Sequence, residues 1–278
     1  MVGSGFKARA YLPRIHFLQF KKMNYLSTRQ ILTAATLALT LAGCGGGGSD
    51  AALPAPDPIP TPVPVPVPTT AALQGIWQSM EGASSTSSAV VLPDGKLWAI
   101  TTHGGVTRLL KASLSVQTAG FSGTGKSYTL GGNAATNGVS ATATANVVEK
   151  TRLAGAFTVT GGQAEAFNLA YQTRYDTPTV VSDYAGAWQA TLGPGVVNWT
   201  IGSTGTISGT RTTGCTYSGQ LTLRAEQKAV LNAAIAETCA GAVVQLDGVA
   251  VFNADKTRIT LLMTTADEST AVAVNLGR

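Results

Sequence analysis

The segment most suggestive of chemistry is residues 120–127 (GFSGTGKS), which satisfies the P-loop pattern. In a working P-loop, backbone N–H groups and the lysine surround a phosphate at the N-terminus of a helix. The residues that follow, 128–133 (YTLGGN), do not have a helical sequence. We therefore interpret the segment as a glycine-rich β-turn, and we expect no nucleotide at Lys126.

Other candidates for catalysis or metal binding are few. His103 is the only histidine after residue 16. A Ser-His-Asp site would need a serine and a carboxylate beside it, and the many serines and threonines single out no particular partner. No group of His, Cys, Asp and Glu has the spacing of metal ligands. We expect no enzyme activity, no catalytic residue, no metal and no cofactor.

Two cysteines, Cys215 and Cys239, are expected to form a disulfide that joins two strands. Residues 221–238 are helical by propensity, but a hairpin centred on Gln227 places the two cysteines directly opposite each other. An exported protein meets an oxidising compartment, where paired cysteines form disulfides. The first half of the chain has no equivalent cysteines. The same register gathers apolar residues of both strands on one face: Leu221, Leu223, Leu231 and Ala233.

The excess of basic residues is confined to the N-terminal part of the chain. The 278 residues carry a formal net charge of +5, yet six of the 19 basic residues and none of the 14 acidic ones precede Cys44. The remainder therefore has 13 basic and 14 acidic residues. Because only 12% of the residues are charged, we expect no nucleic-acid partner. The six basic residues are Lys7, Arg9, Arg14, Lys21, Lys22 and Arg29.

Residues 23–44 have the layout of an export signal, with Arg29, an apolar stretch over 31–41 and small residues before Cys44. The apolar stretch is too short for a permanent membrane span. Residues 41–44 (LAGC) resemble the lipobox of bacterial lipoproteins. This resemblance implies that residues 1–43 are removed, that Cys44 is acylated (palmitate), and that the protein is anchored in the outer membrane. We expect the true start at Met23.

Residues 44–70 are expected to form a tether between the lipid and the folded part. Glycines follow Cys44 directly, and every second residue from 54 to 68 is proline. Proline fixes its own φ and disfavours helix in the residue before it, so this segment should be an extended polyproline II spacer. At about 3.1 Å per residue it reaches roughly 50 Å.

Residues 71–278 contain an internal repeat. Three pairs of landmarks occur in the same order at similar spacing: GIWQ at 75 and GAWQ at 186, KTRL at 150 and KTRI at 256, and AEAFNL at 164 and AVAVNL at 271. We infer a tandem duplication, with a first β-domain over residues 71–176 and a second over 182–278. Each copy is predicted to form six to eight short antiparallel strands that close into an up-and-down barrel or a sandwich.

Three hairpins are predicted within the copies. In the first copy a loop over 161–163 would place Phe157 opposite Phe167. In the second a loop over 266–269 would place Met263 opposite Val272. Residues 93–95 (Pro-Asp-Gly) give a turn signal between two further strands.

The Gly-x-Trp at the start of each copy (Gly75 and Trp77, Gly186 and Trp188) resembles the calycin superfamily, which includes lipocalins and avidins. The resemblance implies a barrel whose tryptophan closes the floor. Avidins hold biotin with Asn and Ser where this chain has Ala190 and Pro194, so biotin binding is not implied. The lipidated cysteine, the leash and two barrels also resemble surface lipoproteins of the factor-H-binding and transferrin-binding types.

The combined features favour a non-catalytic, lipid-anchored binding or adhesion module of the cell envelope, with a protein or glycan partner. One alternative is a structural or hydrolase-inhibiting lipoprotein that faces the periplasm. A calycin-like carrier of a small apolar ligand is another, and it requires an open cavity in one copy.

Overall fold

The computed structural model describes residues 69–81, 85–117 and 120–278, and the chain is all-β. A short helix, α1 (Thr70–Leu73), precedes the first copy. The strands of that copy are β1 (Gly75–Ser79), β2 (Thr86–Val91), β3 (Lys96–His103), β4 (Val106–Gln117), β5 (Gly120–Thr129), β6 (Ala134–Thr136), β7 (Val139–Val148), β8 (Arg152–Val159) and β9 (Ala164–Tyr171).

Eight of these strands form a closed antiparallel barrel in the order β1-β2-β3-β4-β5-β7-β8-β9, and β1 pairs with β9 to close it. Side chains alternate between the lumen and the outside, as in β7, where every second residue from Ala141 to Ala145 is buried. The strand β6 leaves this barrel and pairs elsewhere.

Two 3₁₀ turns, Thr173–Asp176 and Val181–Tyr184, connect the first copy to the second. The second copy contains β10 (Gly186–Leu192), β11 (Gly195–Ile201), β12 (Thr206–Arg211), β13 (Thr216–Leu223), β14 (Val230–Cys239), β15 (Ala242–Phe252), β16 (Arg258–Thr264) and β17 (Thr270–Gly277). These strands also form an antiparallel barrel, closed by one residue pair between β10 and β17.

The first copy completes the wall of the second barrel. β10 and β17 pair only through Gln189 and Gly277, and the remaining edge of β17 pairs with β6 from Thr270 to Val272. Backbone hydrogen bonds from β6 thus join the first copy to the second barrel. The prediction of two tandem antiparallel barrels is confirmed, with eight barrel strands in each.

The disulfide and its hairpin are confirmed. Cys215 and Cys239 are bonded, and β13 pairs with β14 in the predicted register, with Leu221 opposite Ala233. Residues 221–238 are therefore not helical. Leu221, Leu231 and Ala233 are buried on one face, whereas Leu223 at the strand end is exposed. Burying this face outweighs the helical propensity of the segment.

Of the other hairpins, two are confirmed and one is corrected. Met263 lies opposite Val272, and Gly95 turns the chain between β2 and β3 with a φ of 80°. In the first copy, however, Phe157 lies opposite Glu165, two residues from the predicted register. The reason is that Gly162 donates to the carbonyl of Val159, which moves Thr160 into the turn. A shift of two residues leaves the same side chains on the same face.

The segment 120–127 is a strand, which corrects the β-turn interpretation. It lies within β5, and its backbone pairs with β4 from Gln117 to Leu110. A Cβ at Gly125 would lie 2.0 Å from the carbonyl oxygen of Lys111. Glycine is therefore required here because neighbouring strands approach closely, and the strand lacks the loop-to-helix geometry of a P-loop.

A third apolar core lies between the barrels. It combines outward-facing residues of the first barrel with residues of β14 to β17. At its margin the Lys111 ammonium lies 2.8 Å from the Glu268 carboxylate, and the Tyr128 hydroxyl donates to the Glu268 carbonyl at 2.9 Å. Burial, with Glu268 and Asp267 nearby, raises the pKa of Tyr128 to about 12. The largest apolar members of this core are Ile76, Leu92, Trp98, Leu109, Tyr128, Leu130, Tyr175 and Leu262.

The connection between the copies contains a charged junction at Asp176. Its carboxylate accepts hydrogen bonds from Lys150 at 3.0 Å and Tyr171 at 2.9 Å in the first barrel, and from Lys228 at 2.9 Å in the second. Burial acts to raise the pKa of Asp176, but the bonds from Lys228, Lys150 and Tyr171 outweigh it and lower the pKa to about 2.

This junction predicts a defined pH dependence. Because the pKa of Asp176 is below its ordinary 3.8 in the folded protein, its contribution is fully present above pH 4 and is lost as the pH falls towards 2. Its side chain is 32% exposed, so we expect this contribution to be about 1 kcal/mol. Urea unfolding at several pH values should show a smaller loss between pH 4 and 2 in Asp176→Asn than in the wild type. Identical slopes would contradict the prediction.

The predicted leader, Cys44 and the tether as far as residue 68 lie outside the described residues. Within the part of the chain that the structure describes, no helix is both long enough and apolar enough to cross a membrane.

Candidate ligand cavity of the first barrel

Each barrel has a tryptophan floor. Trp77 and Trp188 are fully buried, and each indole N–H donates to the carbonyl four residues earlier, that of Leu73 at 2.9 Å and that of Tyr184 at 2.8 Å. Both acceptors lie in a short helical turn that precedes the first strand. The two copies therefore hold their tryptophans in the same hydrogen-bonded position.

A residue near the end of each copy covers the tryptophan of that copy. Tyr171 meets Trp77 edge-on at 5.2 Å between ring centroids, and the guanidinium of Arg278 lies 4.5 Å from the centroid of Trp188. Tyr171 ends the last strand of the first copy, and Arg278 follows the last strand of the second. The two copies therefore cover their tryptophans from equivalent positions with different side chains.

Above the floor the two copies differ in volume. Register places Ala89 beside Trp77 in the first barrel and Trp199 beside Trp188 in the second. The next strand carries Ala99 in the first copy and Gly209 in the second. A Cβ at Gly209 would lie 2.3 Å from the indole of Trp199, so this glycine makes room for that ring. On the strand after that, the paired residue is Leu110 in the first copy and Tyr217 in the second.

These exchanges leave a chamber in the first barrel. Its volume is about 40 Å³. A water molecule needs a cavity of roughly 10–15 Å³, so the chamber has room for a slender apolar group. Nearly all lining side chains are apolar: Ala89, Leu97, Ala99, Leu110, Leu114, Ala143, Ala145, Leu153, Phe157, Phe167 and Leu169, with Ser87 and Thr101 at the top.

A wider and more polar mouth adjoins the chamber. The mouth measures about 630 Å³ and shares Ser87, Thr101, Phe157 and Phe167 with the chamber lining. At this boundary the Ser87 hydroxyl donates to the Thr101 hydroxyl at 2.8 Å, which satisfies both buried groups. Together the two spaces form a cup with an apolar bottom and a polar rim.

An ion pair crosses the lumen at the mouth. The Arg108 guanidinium on β4 donates to the Glu165 carboxylate on β9 at 2.9 Å, and about a quarter of each side chain is exposed. These strands are not neighbours in the barrel, so the pair spans the opening. The strand register gives Arg108 the position of Cys215 in the second barrel and Glu165 that of Val272.

The second barrel is filled at the corresponding depth. Trp199 and Tyr217 pack at 5.3 Å between ring centroids, and the Tyr217 hydroxyl donates to Glu237 at 2.6 Å. Burial and the bond to Glu237 raise the pKa of Tyr217. The Cys215–Cys239 disulfide lies at the end of the second barrel that corresponds to the mouth of the first. Its sulfurs and the Glu237 carboxylate form a cluster within 4.8 Å, but both sulfurs are bonded to each other and are not free to bind a metal.

Except for Cys44, the predicted site residues lie in or beside strands of the two barrels. Gly75, Trp77, Gly186 and Trp188 belong to the two floors, and Cys215 and Cys239 close a hairpin. His103 lies at the exposed end of β3, where it lines the mouth. Among the described residues no carboxylate lies within ion-pair distance of His103. The sequence interpretation did not single out Arg108, Glu165 or the alanine lining. An alignment of the copies that sets Ala89 against Trp199 would have indicated the alanine lining but not the ion pair.

Comparison with family models, with curated proteins and with solved structures finds no match to this chain. The fold and the cavity thus define the class by themselves: two tandem eight-stranded antiparallel barrels joined by a shared core, the first hollow and the second filled.

Proposed function

We propose that this chain is a non-catalytic, lipid-anchored binding protein of the cell envelope, in which the first barrel binds a small ligand that is at least partly apolar. One observation carries the proposal. Two copies of one fold differ in the lumen, where Ala89 of the first copy takes the place of Trp199 of the second. The interior that large side chains fill in the second copy is left open in the first, and the ligand-carrier alternative explains this difference between the barrels.

The second barrel has a supporting role in this proposal. Its filled lumen, its disulfide and the shared apolar core stabilise the hollow barrel, which has less internal packing of its own. The strand β6 links the two directly, because it leaves the first barrel and pairs with Thr270, Ala271 and Val272 of β17.

The location is inferred from the sequence. The residues LAGC at 41–44 support acylation of Cys44 and anchoring in the outer membrane, and the proline tether supports a binding domain held away from the bilayer. The membrane is thus a partner through the anchor, and the ligand is a second partner.

Filling the chamber should separate binding from stability. Ala89 is 2% exposed and lines the chamber. We expect Ala89→Leu to raise the free energy of unfolding by about 1 kcal/mol, because the added carbons enter empty apolar space. The same substitution should displace the ligand. Native mass spectrometry of protein purified from its own host, with guanidinium unfolding alongside, measures both effects.

Ala233 is the matched control. It is also 2% exposed, but it lies in the filled core of the second barrel. Overpacking in Ala233→Leu should lower the free energy of unfolding by about 1–3 kcal/mol while the bound mass is kept. Loss of stability in both variants, with the bound mass kept in both, would exclude the chamber as the ligand site.

A further inference from the structure

The ion pair across the mouth identifies the chemical class of ligand. We propose that Arg108 binds the anionic head group of an amphipathic ligand, a carboxylate in the simplest case, while the apolar part occupies the chamber below. In the structure Glu165 provides the carboxylate that the ligand would replace. This inference rests on the proposed ligand-binding function of the first barrel.

The position of the pair supports this assignment. The Arg108 guanidinium and the Glu165 carboxylate meet at 2.9 Å above a chamber lined almost entirely by apolar side chains. An ion pair that is partly removed from water is held by charge-assisted hydrogen bonds. A ligand carboxylate at the same place would keep the Arg108 bond, and it would add the burial of its apolar part.

The backbone indicates which partner of the pair yields. Arg108 lies in the middle of a continuous sheet, because β4 pairs with Thr101 of β3 on one side and with Thr129 of β5 on the other. Glu165 is the second residue of β9, beside the turn that joins β8 to β9, and it pairs there with Phe157. A residue next to a turn can move outward at lower cost than Arg108, which is held between two paired strands.

The other polar groups of the mouth favour an anion over a cation. Glu165 is the only carboxylate among the described residues that line it. Once Glu165 turns outward, the remaining polar side chains all offer N–H or O–H donors. They are Arg108, His103, Gln163, Thr160, Thr101, Ser87 and Ser85.

Three ligands with the same ten-carbon chain test the proposal: decanoate, decanol and decylamine. The end of the chain enters the chamber of about 40 Å³, and the adjoining mouth of about 630 Å³ holds the rest. The protein is the full chain with Cys44→Ala, which prevents acylation and so avoids an attached lipid as competitor. Calorimetric titration of the Ala89→Leu version provides the blank, because it subtracts binding outside the chamber. We expect decanoate to bind about tenfold more tightly than decanol, and decylamine more weakly than both.

Substitutions of the two paired residues are expected to change the affinity for decanoate in opposite directions. Arg108→Gln should weaken decanoate binding to the level of decanol. Glu165→Gln should strengthen decanoate binding several-fold, because the competing carboxylate is gone. If Arg108→Gln is unstable, the double variant with Glu165→Gln leaves no unpaired charge and should bind decanol and decanoate equally. Arg152→Gln is the matched control, because Arg152 lies on the exposed side of β8 and bonds to Asn168.

The outcomes separate this inference from the proposed function. If decanol and decanoate bind equally in the wild type and Arg108→Gln changes neither, the head-group site is overturned while binding in the chamber stands. If decylamine binds best and Glu165→Gln weakens its binding, the site prefers a cationic head group and the inference is likewise overturned. If none of the three compounds binds above the Ala89→Leu blank, the proposed function and this inference both fail for single-chain amphiphiles.

Discussion

Replacing Trp188 with alanine is expected to lower the free energy of unfolding by about 4 kcal/mol, as is usual for the removal of a buried tryptophan. The side chain is fully buried at the floor of the second barrel. It packs against Phe252, carries the guanidinium of Arg278 over its ring and donates its N–H to Tyr184. Alanine loses all three contacts and opens the filled core from below. Guanidinium unfolding followed by far-ultraviolet circular dichroism measures the change.

The phenylalanine variant separates packing from the hydrogen bond. Trp188→Phe keeps an aromatic ring on the floor but leaves the Tyr184 carbonyl without its donor. We expect a loss of about 1–2 kcal/mol, clearly smaller than that of the alanine variant. A loss below about 1 kcal/mol in Trp188→Ala would mean that the tryptophan does not hold the barrel closed.

Removing the disulfide is expected to have the second-largest effect. The bond joins residues separated by 24 positions, and a closed loop of this length stabilises the fold by about 3.5 kcal/mol in the chain-entropy description. The double variant Cys215→Ser, Cys239→Ser avoids a free thiol. It should unfold at lower denaturant concentration than the oxidised wild type by an amount that corresponds to this loss.

Reducing agent supplies the control. Reduction should bring the wild type to the stability of the double serine variant and should leave that variant unchanged. Equal stability of the wild type with and without reductant would contradict a stabilising disulfide. From the sequence alone, the loss is expected in the second copy only. Because the barrels share an apolar core and the β6–β17 pairing, we expect the first barrel to unfold in the same transition.

The hairpins illustrate how far a sequence pattern reaches. The register of β13 and β14 was predictable because two cysteines and two apolar faces all require the same pairing. The register of β8 and β9 was missed by two residues, since the choice between adjacent glycines as the turn depends on one backbone hydrogen bond to Val159. Alternation along a strand determines which face a residue occupies, but the turn determines its exact neighbour.

The glycines of residues 120–127 could not be interpreted from their spacing. The same letters suit a phosphate loop and a strand that lies close to its neighbour. The decision comes from β4, because the Lys111 carbonyl leaves no space for a side chain at Gly125. That neighbour is fourteen positions away in the chain, and no local pattern reveals the approach.

The sequence by itself determined the all-β class, the tandem arrangement of two β-domains and the disulfide, because these follow from alternation along the strands, from repeated motifs and from the symmetric placement of two cysteines. Only the tertiary structure decided which barrel is open. The volume of a lumen depends on side chains from eight strands meeting at one level, as Ala89, Ala99 and Leu110 do. The Arg108–Glu165 pair joins residues 57 positions apart, and their proximity arises only when the barrel closes.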